Sequence, residues 1–174
     1  MFSLFRIDDR LVHGQTMIKL LPNYPCDGII IINDEIAENA QMKSIYQSVL
    51  PGNVKLYVFN FENAVKKLNE AKISKKRYYL INKGVMDYEK LLKLGFKVTE
   101  PITVSCCNRK EGSVAVNNGF YLLPEEIDTY NRLDEQGYQF EIMTMMSKWP
   151  VSWKSFKKQK IGKERKYKCL LFSV

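Results

Sequence analysis

At 174 residues the chain has room for one domain with a substantial core and little room for a second. Its 45% hydrophobic and 26% charged residues are those of an ordinary globular protein, and its densest apolar patch, "GIIII", is far short of the roughly 18 residues a membrane span needs. The formal charge of +8 is localised: residues 154–174 carry eight cations and one anion, so the rest of the chain is nearly neutral; nucleic-acid binding through residues 154–168 is a minor alternative, and no nucleic-acid partner is expected.

The N-terminal "MFSLFRIDDR" lacks a basic segment followed by an apolar stretch and a cleavage site, so a cytoplasmic location is expected. The cysteines are Cys26, Cys106, Cys107 and Cys169. Their spacing fits no zinc module, and with a single histidine no metal site is expected; reduced thiols are.

In chain order, "FSLFRI" (2–7) reads as a strand and "GQTMIKLL" (14–21) as a helix. "GIIIIN" (28–33) is a buried strand, followed by a helix over 34–49 with Asp34 as N-cap and Ile36, Ala40, Ile45 and Val49 near one face. Strands are predicted at 54–60 and 77–82, each followed by a helix (62–71 and 87–95, the latter closed by Gly95). A strand at 102–107 and a hairpin over 113–123 lead to a helix at 124–137 with Pro124 at its start. A last strand covers 138–145. This alternation predicts an α/β fold: an open, doubly wound, mostly parallel sheet with helices on both faces and an antiparallel edge strand. The domain is expected to occupy 1–150 and a basic tail 151–174. Residues 154–168 are expected outside the core, so that truncation after Trp153 leaves folding intact.

The one histidine, His13, falls between the first strand and the first helix, the edge where such sheets bind ligands. Arg10 can return across a tight loop to the same point, Gly14 leaves space beside the ring, and backbone N–H groups there favour an anion. A neutral imidazole is a nucleophile near pH 7, Arg10 can grip phosphate oxygens, and Asp8 or Asp9 can fix either Arg10 or the ring tautomer. These parts suit a phosphoryl group carried on histidine. A histidine before a glycine also serves simply to turn a loop, and the charges of Arg6, Asp8, Asp9 and Arg10 can form a surface ion-pair network. No nucleotide phosphate loop occurs, and no cofactor is expected.

"FRIDDRLVHGQ" (5–15) resembles the signature of the mannose/fructose/sorbose-class IIB component of the bacterial sugar phosphotransferase system, R-[IV]-D-[DE]-R-[LI]-[IV]-H-G-Q, at every position. "IIIINDEIA" (29–37), "KVTEPITV" (97–104) and "LPEEIDTYNRLDEQGYQFEI" (123–142) extend the resemblance from about residue 2 to residue 145. It implies that His13 takes a phosphoryl group from a phosphohistidine of a IIA protein or domain. His13 then passes it to a sugar held by membrane IIC/IID components, which would bring the protein to the inner face of the membrane. By the same resemblance Arg10 is the principal phosphate ligand, and Arg6, Asp8, Gly14 and Gln15 belong to the phosphate-binding and supporting loop. The loops "INKG" (81–84) and "SCCNRKEG" (105–112) depart from the family pattern. They leave open a degenerate IIB-like protein that binds a partner or regulates without sugar transport. A cysteine carrier at Cys106-Cys107 is a further alternative.

Overall fold

The computed structural model describes residues 1–105, 107–117, 120–143 and 150–158, with backbone alone at 15, 16 and 117. The chain opens with β1 (Phe2–Ile7), α1 (Gly14–Leu20) and β2 (Gly28–Ile32), then α2 (Asp34–Glu38), α3 (Ala40–Ser48) and β3 (Lys55–Phe59). It continues through α4 (Phe61–Ile73), β4 (Tyr78–Asn82), α5 (Val85–Lys93) and β5 (Ile102–Val104). A hairpin, β6 (Val114–Asn117) and β7 (Phe120–Leu122), precedes α6 (Pro124–Glu135), β8 (Phe140–Ile142) and β9 (Val151–Ser152). Among the described residues one sheet runs β3-β2-β4-β1-β5-β8-β9, and the hairpin forms its own antiparallel pair. Every pairing in the large sheet is parallel except β8 with β9, the antiparallel edge.

Burial explains the layers. The isoleucines of β2 alternate between faces: Ile30 and Ile32 join Phe5, Ile7 and Leu80 under α4, α5 and α6. Ile29 and Ile31 join Leu4, Tyr79 and Ile81 under α1 and α2. A strand buried on both faces has no polar side to show, which is why "GIIII" reads as an unbroken apolar run. Gly28 starts it because a Cβ there would lie 2.9 Å from the Tyr57 ring and 3.0 Å from that of Tyr78.

Two expectations need correction. The helix expected over 34–49 is two helices, because Asn39 leaves the helical region (φ −99°, ψ 97°) and its side chain caps α3 by accepting the Met42 N–H. The N-cap of α2 is Asn33, not Asp34, whose carboxylate instead accepts the Phe61 N–H at 2.7 Å. α3 buries none of its residues fully, and Ile45 and Val49 are exposed. Gly95 does close α5, at φ +95°, where a Cβ would be strained.

The second correction concerns the boundary at 150. Val151 and Ser152 add β9 to the sheet, and residues 153–158 are helical. Trp153 is 1% exposed, packs its ring 4.8 Å from that of Tyr130 and donates its indole N–H to Asn131. Phe156 meets Phe120 edge to face at 5.7 Å. Lys157 reaches Asn131 and Asp134. Charge counting obscured two apolar residues at i and i+3, which is a helix stripe, set among the lysines. Residues 159–174, with the remaining basic residues, lie outside the described structure. Trp153→Ala is expected to cost about 3–5 kcal/mol of stability, read as a lower urea midpoint at unchanged slope.

Candidate functional site

The parallel sheet has a switch point beside β1. The chain leaving β1 enters α1 on one face, while the chain leaving the adjacent β4 enters α5 on the other. Loops that diverge to opposite faces open a crevice at the carboxyl ends of the strands. The loop of residues 8–13 crosses this point. It is stitched to β4 by the Asp8 N–H, which donates to the Asn82 carbonyl at 3.0 Å.

Asp8 is the centre of the site and fully buried. Its Oδ2 accepts from the Arg6 guanidinium at 3.2 Å and lies 3.4 Å from His13 Nε2, a long contact for a hydrogen bond. Its Oδ1 accepts the Arg10 backbone N–H at 3.2 Å and lies 4.0 Å from Arg10 Nε. One carboxylate therefore serves both the histidine and the arginine, which resolves the choice between Asp8 and Asp9. Asp9 turns elsewhere: its Oδ2 accepts the Asn108 N–H at 2.6 Å, from the loop between β5 and β6.

Arg10 and His13 face outward while the residues between them face in. The Arg10 side chain is 41% exposed, and His13 is half-buried. Leu11 and Val12 are buried against α1, with Leu11 at φ +58°. His13 is the N-cap of α1 in extended conformation, and its side chain caps no helix N–H. Gly14 follows it with open space where a Cβ would be. Gln15 is in α1, and its side chain lies outside the described structure. Arg6 is not a surface anion ligand: only 5% exposed, it is the buried counter-charge of Asp8.

Partial burial pushes the His13 imidazole below its ordinary value of 6.5, and Arg10 and Arg6 push the same way; the Asp8 carboxylate opposes them and is outweighed. The ring is thus held neutral at pH 7. Among the thiols, burial drives Cys107 up to about 12, with Asp9 and Glu126 adding to it, and Cys26 up to about 11. A buried thiol so far from ionisation is no nucleophile at neutral pH. Cys106 and Cys169 lie outside the described structure.

Sequence reasoning missed Asn82 and Tyr88. Asn82 is buried at the end of β4, where its Oδ1 accepts the Ile32 N–H and its carbonyl accepts that of Asp8, tying β2, β4 and the histidine loop together. The Tyr88 hydroxyl, reaching from α5, accepts the Arg6 N–H at 3.0 Å and donates to the Leu80 carbonyl at 2.9 Å. The only hint of Asn82 was a polar residue ending an otherwise apolar strand.

The family model described as PTS system sorbose subfamily IIB component matches residues 2–168. The chain belongs to this family of the phosphotransferase system. The match takes in residues 150–158, beyond the stretch where the sequence motifs are recognisable. The chain is 28% identical over 140 residues to the mannose-specific EIIAB component of Escherichia coli strain K12, covering 80% of this chain and 43% of the relative. It thus spans less than half the length of that relative. It is 23% identical over 144 residues to the fructose-specific EIIB component of Bacillus subtilis, covering 83% of this chain and 88% of the relative. The crystal structure of the IIBSor domain of the sorbose permease from Klebsiella pneumoniae shares the fold, with a TM-score of 0.80 at 21% identity over 94% of this chain and 97% of that one. Among the described residues no helix is long and apolar enough to cross a membrane.

Because His13 is the chain's one histidine, a single imidazole C2–H resonance reports it. Its NMR titration is expected to have a midpoint below 6.5, with the neutral ring the folded state's form above it. The lowered value means the unfolded chain binds more protons between the two midpoints. Folding should therefore gain from neutral His13 above 6.5 and lose that increment as pH falls through the folded midpoint.

Proposed function

We propose that the chain is a phosphoryl carrier. His13 accepts a phosphoryl group from a phosphohistidine on a IIA protein or domain and delivers it to a sugar presented by IIC/IID components at the inner face of the membrane. The observation that carries this reading is the placement of a neutral-leaning imidazole at the sheet's switch point, against a buried carboxylate and beside an exposed arginine. Membership of the IIB family supports the carrier over a purely regulatory relative, because the histidine loop is present in full.

The chemistry follows from the contacts. With the Nε2 proton directed at Asp8, Nδ1 carries the lone pair and attacks phosphorus as the bond to the donor imidazole breaks. The proton stays on Nε2, and Asp8 stabilises the positive charge that the phosphorylated ring acquires. Arg10 holds phosphoryl oxygens through both steps, with its backbone fixed by Asp8 and its guanidinium turned to solvent. In delivery a sugar hydroxyl attacks phosphorus as the Nδ1–P bond breaks; its proton passes to solvent or to a base of the sugar-binding component, and the imidazole, still protonated on Nε2, is neutral again.

His13→Ala should abolish labelling by a phosphorylated IIA partner while leaving the unfolding transition in place, because the side chain lies at the crevice rather than in the core. The wild-type label should be acid-labile and alkali-stable, as a phosphoramidate is, and mass mapping should place it on His13. Undiminished labelling of His13→Ala would show that another residue is the carrier.

Arg10→Lys keeps the charge and loses the planar fork. Transfer is expected to slow by about 1.5–3 kcal/mol in activation free energy, the worth of one charged hydrogen bond, at unchanged stability. Single-turnover kinetics alongside a urea melt separates the two.

A further inference from the structure

The histidine loop has a second acid, Asp9, that the carrier chemistry does not use. Its Oδ2 accepts the Asn108 N–H at 2.6 Å across 99 positions of sequence, a short charge-assisted bond. Its Oδ1 is buried and has no hydrogen-bond partner among the described residues. An orphaned buried carboxylate oxygen is a cost that packing alone does not require, and an apolar side chain would fill the same space without it. What the carboxylate does achieve is to fix the backbone of the loop between β5 and β6 against the loop that carries His13.

That loop has charge to deliver. Arg109, directly after the latched Asn108, is exposed and forms no salt bridge among the described residues. Its neighbour Lys110 is engaged, with Nζ 2.8 Å from the buried Glu126, which anchors the loop a second time to the start of α6. On the neighbouring loops, half-buried Lys83 follows β4 and exposed Arg10 follows β1. The nearby acids are turned inward: Asp8 to Arg6 and Arg10, Asp9 to Asn108, Asp87 to the N–H groups of Lys83 and Gly84. Glu111 remains exposed, in the turn leading to β6. The loops that leave β1, β4 and β5 therefore carry the exposed cations Arg10 and Arg109, while most of their carboxylates are taken up by backbone or arginine donors.

We infer that Arg109 is a docking residue for acidic side chains that flank the phosphohistidine of the donor protein, and that Asp9 is the positioning residue that holds Arg109 beside the crevice. This rests on the carrier reading above. A rim charge of this kind speeds and orients encounter and leaves the transfer step itself alone, so its signature is in KM and in salt dependence.

The test is a double-mutant cycle in phosphoryl acceptance. The donor is a phosphorylated mannose-class IIA domain from the same organism, with wild type and His13→Ala measured first. Arg109→Ala should raise the KM for the donor about 5–10-fold, leave kcat within about twofold and flatten the rise of KM with added salt. Asp9→Ala should do the same, and the double variant should be no worse than Arg109→Ala, because one residue acts through the other. If Asp9→Ala does not fold, Asp9→Asn takes its place in the cycle. Effects that multiply in the double variant, a fall in kcat at unchanged KM, or a wild-type KM in Arg109→Ala would overturn the inference and leave the carrier reading intact. A wild type that takes no label from the donor would overturn both.

Discussion

A carboxylate with no access to water governs this site. Asp8 is fully buried, and a charge in that position survives only if its oxygens are occupied by strong donors. Arg6 supplies one from within β1 and the Arg10 backbone supplies another, while His13 closes the set. Stranding either member of a buried pair costs about 3–5 kcal/mol, so the geometry of the histidine loop is enforced by the stability of the sheet beneath it. The same carboxylate that fixes the loop also faces the Nε2 edge of the imidazole. In the proposed mechanism one group thus serves both structure and reactivity.

The sheet order puts that group where it is useful. With β1 central and the chain leaving β1 and β4 toward opposite faces, the carboxyl ends of these adjacent strands form the sheet's switch point. Asn82 and Tyr88 join them from below, and Asp9 and Lys110 join the β5–β6 loop from the side. The loops at 81–84 and 105–112 are thus bonded to the histidine loop and to α6 through Asn82, Asn108 and Lys110.

Much of this was legible beforehand because its causes are local. "GIIII" reports a doubly buried strand, Gly95 reports a helix end, and "RIDDRLVHGQ" places the one histidine between a strand and a helix. What was not legible depends on contacts far apart in sequence. Asn82 is an ordinary strand-end residue until β1 and β2 lie on either side of it. Arg6 is a surface arginine by composition and a buried one by register, since its neighbour across the pairing is Ile81. Trp153 and Phe156 were hidden by the cations around them, because net charge averages over residues whereas packing depends on which face each side chain takes. The break at Asn39 was missed for a related reason: propensity over a long window outweighed one residue able to cap a helix of its own.

Leu11 and Val12 bear on how the proposed carrier would work. They sit between Arg10 and His13 and are sunk into the core, Leu11 in a left-handed conformation that only firm packing sustains. His13 therefore follows directly on two buried residues and opens α1, which leaves it no long tether on which to swing. On the proposed carrier reading, a histidine that cannot reach must be visited. Donor and acceptor would then approach the same loop by turns, each excluding the other while bound, and throughput would be governed by how briefly each one stays. Very tight binding to either partner would slow such a cycle, so that surface would need rapid release as much as recognition.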